Sequence, residues 1–245
     1  ILSLSSSTTM PTVANPRIDQ ASVPTQFAVD VSALQDKTFD FIIVGAGSAG
    51  CVLAEKLSRV PTVSVLLLET GAELQDTPLC KTPSNYQLVW QSEADWGYIS
   101  APQQELIAPG AQPRRLFLER GKTLGGSSAI NALIWVRGAP EDFDRWEHEA
   151  GAKGWSHDAI VDNFKELETA PKGFESKERG TEGMLRVNTM DVQPETDLFF
   201  KTLENAGYDR TSDYNHPARQ SGFGQTQWSV DPLTKRRMDA FTAFI

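Results

Sequence analysis

Hydrophobic and polar positions change texture sharply along the chain. Residues 1 to 38 are rich in Ser and Thr and lack periodicity, and Pro11, Pro16 and Pro24 are spaced so as to discourage a long helix. From Phe39 the pattern becomes regular. Phe39-Asp40-Phe41-Ile42-Ile43-Val44 is a short, nearly continuous apolar run ending at a glycine, which predicts a strand buried on both faces of a parallel sheet. Ala49, Val52, Leu53 and Leu57 then recur at helical spacing, Pro61 ends that helix, and Val63 to Leu68 reads as a second buried strand. Together they predict a βαβ unit.

After Glu69 a long irregular stretch with Pro78, Pro83, Pro102, Pro109 and Pro113 is too long to be a simple connection, so short elements are expected inside it. Arg115 to Glu119 alternates as a strand and leads into the Gly/Ser-rich loop Gly121 to Ser128, which carries a helix-start signal. Helices are predicted around Glu141 to Glu149 and Asp158 to Thr169, a strand at Met184 to Val187, a helix from Glu195 to Asn205 ended by Gly207, and a strand from Gly224 to Val230.

Composition adds exclusions. With 40% apolar residues, 22% charged residues and a formal charge of −9 over 245 residues, the chain has an ordinary globular composition. A nucleic-acid surface is not expected, because the densest basic run is Lys235-Arg236-Arg237. Cys51 and Cys80 support no disulfide framework, and with three histidines in all no zinc-ligand spacing arises. The longest apolar stretches are strand-sized, far below the roughly 18 residues of a membrane-spanning helix. The leader reads either as a disordered linker or as an organelle transit peptide, although Arg17 is the one basic residue before Lys37. The chain starts at Ile1 and stops in an apolar helical pattern, so it is expected to be part of a longer protein.

Gly45-Ala46-Gly47-Ser48-Ala49-Gly50 matches G-x-G-x-x-G directly after a strand and at the opening of a helix. The first glycine permits the tight turn, the second lets backbone approach a pyrophosphate, and the third allows close helix packing. Free N–H groups at the helix start then meet the phosphates. Glu69 closes the second strand, where a carboxylate accepts hydrogen bonds from ribose hydroxyls. A kinase loop is discounted because no V-A-I-K, H-R-D or D-F-G follows. The fingerprint alone does not separate NAD from FAD.

Gly121-Lys122-Thr123-Leu124-Gly125-Gly126-Ser127-Ser128-Ala129-Ile130-Asn131-Ala132-Leu133-Ile134-Trp135-Val136-Arg137-Gly138 resembles the signature of the glucose-methanol-choline oxidoreductases, and Asp142-Phe143-Asp144-Arg145-Trp146 resembles the D-Y-D-x-W that follows it. Asp95-Trp96 and Pro102-Gln103 fit between, and the resemblance runs from about Phe39 to Ile245. It implies an α/β fold: a Rossmann-like FAD-binding domain over 39–140, then part of an α+β substrate domain over 141–245 interleaved with it. It also implies FAD as cofactor, with Gly45, Gly47, Ser48 and Ala49 at the pyrophosphate and Glu69 on the ribose. Thr123, Ser127, Asn131, Ala132, Leu133 and Ile134 are expected near the pyrophosphate and flavin ring. Ile130 stands where some relatives carry a flavin-linked histidine, so noncovalent FAD is expected.

The resemblance implies hydride transfer from a CH–OH donor, a small alcohol, to flavin N5, with wording closest to choline and aliphatic-alcohol dehydrogenases. The family's catalytic histidine lies near its C-terminus. His148, His157 and His216 read as surface or capping residues, so no catalytic residue is assigned here. Arg120 and Lys122 face either phosphate or a solvated salt bridge, Arg137 is expected to pair with Glu141 or Asp142, and Trp135 is the tryptophan singled out for a role. Asp239 stands where the family's last helix usually has Ser. Two alternatives stay open: a light-driven fatty acid photodecarboxylase on the same scaffold, and a truncated nucleotide-binding protein without catalysis.

Overall fold

The computed structural model describes residues 2–3, 34, 36–103, 113–174, 176–218 and 221–245. Most of the predicted leader, 1–38, lies outside them. The chain forms two compact units, Ile1–Ala132 with Asp239–Ile245, and Leu133–Met238.

In the first unit β1 (Leu2–Ser3), β2 (Phe41–Val44) and β3 (Val65–Glu69) form a parallel sheet in the order β1-β3-β2, with Phe41 opposite Val65 and Val44 opposite Leu68. The βαβ unit is present, but β2 is not buried on both faces. Among the described residues it pairs with β3 alone, and Phe41, Ile42 and Val44 are 44%, 59% and 83% exposed. Helix α1 (Ser48–Ser58) also departs from its periodicity: the buried stripe is Gly50, Cys51 and Ala54, while Leu53 is exposed. The helix lies too close to the strands for large side chains, so small residues form the contact face.

The irregular stretch holds α2 (Pro78–Lys81), a 3-10 turn at Pro83–Asn85, α3 (Tyr86–Val89) and β4 (Tyr98–Ile99), which pairs antiparallel with β5 (Phe117–Leu118). These surround a core of Leu74, Cys80, Val89, Ala94, Ala129 and Ile130. The Gly/Ser loop closes into a short 3-10 turn, Gly126–Ala129.

The second unit opens at Leu133, ahead of the 140/141 boundary expected from sequence. Its first residues are hydrogen-bonded to the segment around Gln227 to Ser229: Trp135 N–H donates to the Gln227 carbonyl at 2.9 Å and Ser229 N–H to the Leu133 carbonyl at 2.8 Å. Helices α4 (Pro140–His148) and α5 (His157–Leu167) pack through Phe143 and Phe164, and Asp144 and Glu147 of α4 accept the His157 and Ser156 amides at the start of α5. Short pairs follow: β6 (Glu168–Thr169) with β7 (Leu185–Arg186), and β8 (Asn188–Thr189) with β9 (Gln227–Trp228), separated by α6 (Pro194–Asn205). The strand predicted over 224–230 is only Gln227–Trp228.

This unit also buries a polar cluster. Glu168, fully buried, accepts from Arg137 at 2.6 Å, from Arg179 at 2.6 Å and from the Trp135 indole at 2.7 Å; Arg179 also binds Asp213 at 2.8 Å, and Gln227 and Asn215 complete the set. Arg137 therefore pairs with Glu168 and not with Glu141 or Asp142, and Asp142 instead binds Arg145. Burial pulls the Arg137 guanidinium below its usual value, whereas for Arg179 the bonds to Glu168 and Asp213 outweigh burial.

Residues 239–245 fall in the first unit, where α7 (Ala240–Phe244) packs on α1. Asp239 caps it, accepting the Thr242 N–H at 3.0 Å and the Thr242 hydroxyl at 2.7 Å. A carboxylate thus serves at the position where serine was expected, as an N-cap requires only a side-chain acceptor. Among the described residues, no helix is long and apolar enough to cross a membrane.

Candidate functional site

The first unit contains a cavity of about 500 Å³ at the carboxyl ends of β2 and β3. Its wall is Gly45, Gly47, Ser48 and Ala49 of the β2–α1 turn, Glu69 and Thr70 at the end of β3, Trp96, and Arg120, Gly121, Gly126 and Ser127 of the Gly/Ser loop.

Glycine is required where the two turns meet. A Cβ on Gly50 would stand 1.9 Å from the Gly45 carbonyl oxygen, so the helix could not approach its own entry turn. Gly126, at φ +53°, would place a Cβ 2.7 Å from Gly47 Cα, and Gly125 N–H donates to the Ala46 carbonyl at 2.8 Å. The fingerprint turn and the Gly/Ser loop are therefore packed backbone against backbone. No side chain caps α1 and its first turn carries no acid, so the positive end of the helix dipole borders the cavity.

Glu69 is 8% exposed and accepts two backbone amides, Ala46 N–H at 2.8 Å and Gly71 N–H at 2.7 Å. Each carboxylate oxygen keeps a further lone pair for a ligand hydroxyl. The Ser127 hydroxyl, within the 3-10 turn whose N-cap is Gly125, accepts Gly121 N–H at 3.1 Å. Thr123, expected near the pyrophosphate and flavin ring, is fully buried; its hydroxyl donates to the Ala72 carbonyl at 2.7 Å and accepts Leu74 N–H at 3.0 Å, tying the loop to the chain after β3. Asn131 is exposed and Ala132 half-buried at the end of the first unit. Leu133 and Ile134 belong to the second unit, Leu133 buried at φ +64° and Ile134 53% exposed. Ile130 is 1% exposed and packs into the hydrophobic core.

Sequence alone gives Trp96 only as part of the Asp-Trp feature and leaves Arg120 between a phosphate and a solvated salt bridge. Both line the cavity, and they are held together: Trp96 N–H donates to the Arg120 carbonyl at 2.8 Å, while Asp95 accepts Arg120 N–H at 3.1 Å. The signal available was the Asp-Trp pair and the basic residue ahead of the glycine loop. Trp135, the tryptophan singled out from sequence, is instead bound to Glu168. Lys122 lies over the Trp96 ring at 4.8 Å rather than in a salt bridge. His148 is exposed, His157 lies 3.5 Å from Asp158, and His216 accepts Ala218 N–H at 3.2 Å. Among the described residues no three His, Cys, Asp or Glu side chains are grouped to hold a metal.

The sequence pattern of the family described as GMC oxidoreductase matches residues 39–245. The oxygen-dependent choline dehydrogenase of Rhizobium rhizogenes is 39% identical over 213 residues, which are 84% of this chain and 36% of that protein. The enzyme of the same description from Vibrio vulnificus is 42% identical over 201 residues, covering 78% of this chain and 33% of its own length. The chain thus spans about a third of these relatives. Among solved structures, pyridoxine 4-oxidase from Mesorbium loti superposes with a TM-score of 0.74 at 28% identity over 84% of this chain and 39% of that one. A formate oxidase does so with a TM-score of 0.73 at 28% identity, over 84% of this chain and 36% of its own.

Proposed function

The chain belongs to the GMC oxidoreductases, a family of FAD-binding enzymes, and from that membership we propose that it forms the cofactor-binding part of an enzyme oxidising a CH–OH donor, a small choline-like alcohol. The observation that carries the reading is the backbone-to-backbone meeting of the fingerprint turn and the Gly/Ser loop at the uncapped start of α1. A Cβ at Gly126 would fill that approach, and Glu69, the one carboxylate among the described residues that line the cavity, accepts the Ala46 N–H of the turn leading into the helix. This donor set suits a diphosphate joined to a ribose.

FAD, when bound, supplies a two-electron acceptor for the alcohol carbon. The residues of this chain hold it. Amides of Ser48 and Ala49 would face the pyrophosphate, with Gly45 and Gly47 letting it approach, and Glu69 would accept the ribose hydroxyls. Ser127, already fixed by Gly121 N–H, would present its hydroxyl beside the phosphates. Thr123 positions the loop, while Asn131, Ala132, Leu133 and Ile134 are assigned to the flavin side. Ile130 offers no nucleophile, so attachment is noncovalent. None of these residues is assigned the proton transfer.

The test is spectroscopic. The purified protein is expected to carry yellow flavin that acid precipitation releases into the supernatant, and to bleach without oxygen when choline or another small alcohol is added in the dark. Colour left in the pellet would contradict noncovalent binding. Failure to bleach in the dark, with blue-light release of carbon dioxide from a fatty acid, would overturn the oxidoreductase reading.

A further inference from the structure

We infer that Arg120 is the charged side chain that grips the diphosphate in this cavity, opposing its guanidinium to the amides at the start of α1; the inference rests on the FAD reading above. Three observations carry it. Arg120 is the one basic residue among the described residues that line the cavity, and its guanidinium forms no ion pair with a carboxylate among the described residues. Among the described residues its guanidinium makes one hydrogen bond, a long one from Nη1 to the Ser127 hydroxyl at 3.4 Å, at the edge of normal geometry. Its backbone, by contrast, is fixed on both sides: Asp95 accepts its N–H, and its carbonyl accepts Trp96 N–H at 2.8 Å.

An exposed arginine without a carboxylate partner ordinarily has no fixed place. Here the main chain is registered by a buried aspartate, 7% exposed, that also binds the Gln91 and Gly97 amides at 3.0 Å. Asp95 is thus a positioning residue for Arg120. The other nearby cation, Lys122, is drawn over the Trp96 ring and does not line the cavity. A planar guanidinium matches phosphate oxygens in pairs, and a diphosphate between it and the helix start would receive charge-assisted hydrogen bonds from both sides.

The test compares binding of FAD, ADP and adenosine to the full chain and to R120M, R120K and R59M, followed by tryptophan quenching and by flavin retained on gel filtration. R59M is the control, removing a charge that is paired with Glu55 at the far end of α1. For R120M, FAD and ADP affinities should fall about tenfold, from the loss of charge-assisted hydrogen bonds. Adenosine, lacking phosphate, should bind within about twofold of wild type, R120K should fall between, and R59M should match wild type. Equal FAD and ADP affinity in R120M and wild type would overturn the inference, as would an equal loss of adenosine binding. If wild type bound neither FAD nor ADP, the FAD reading itself would fail, which these arms separate from failure at Arg120.

Discussion

Cys51 lies directly beneath the fingerprint turn, fully buried, with its thiol donating to the Ala46 carbonyl at 3.2 Å. Burial pushes its pKa up to about 12, and the charges of Asp239 and Glu69 add to that shift. The thiolate is the reactive form, so the native protein should resist alkylation at pH 8, labelling only as it unfolds. Labelling of Cys51 within minutes under native conditions, followed by peptide mass spectrometry, would show that the turn opens far more readily than its packing implies. The same close packing explains why the α1 periodicity misled. Leu53 and Leu57 advertise a core face, but an approach that leaves no room for a Cβ at Gly50 selects Cys51 and Ala54 instead.

Elements in the second unit are joined by charge as much as by apolar contact. Glu168 begins β6, Arg137 lies near the unit's start, and Arg179 follows a loop, so nothing local in sequence pairs them. Breaking one member of a fully buried ion cluster leaves the others uncompensated, at a cost of about 3–5 kcal/mol. Glu168→Gln should therefore lower the unfolding free energy obtained from urea unfolding by that order, whereas Asp142→Asn, which removes the exposed partner of Arg145, should change it by less than about 1 kcal/mol. Equal effects would mean that the buried cluster contributes no more than a surface pair. The sequence pattern missed this set because its positions look like ordinary polar surface, and only burial distinguishes Arg137 from Arg145.

At the scale of the whole molecule, the net charge of −9 opposes binding of an anionic cofactor. Attraction has to be local, and the first unit supplies it at the start of α1 and at Arg120. A ligand that binds only the folded form stabilises it by about 2.7 kcal/mol at one hundred times its Kd. Hydrogen exchange of peptides from 41–58 and 117–130 should slow accordingly when FAD is added. Unchanged exchange there, with flavin bound, would place the cofactor elsewhere.

Much of the first unit was legible in the order of residues. A tight turn, a helix start and a strand-closing carboxylate depend on neighbours in sequence, so the βαβ unit, the fingerprint, Glu69 and the Gly/Ser loop could be read from local spacing. Tertiary structure decided what depends on distant backbones coming together. It set Gly126 against Gly47, turned Thr123 inward to Ala72 and Leu74, brought Trp96 and Arg120 to the cavity wall, and gave Arg137 its partner in Glu168. Spacing along a chain specifies backbone conformation, whereas the partner of a side chain and its access to solvent follow from packing between segments far apart in sequence.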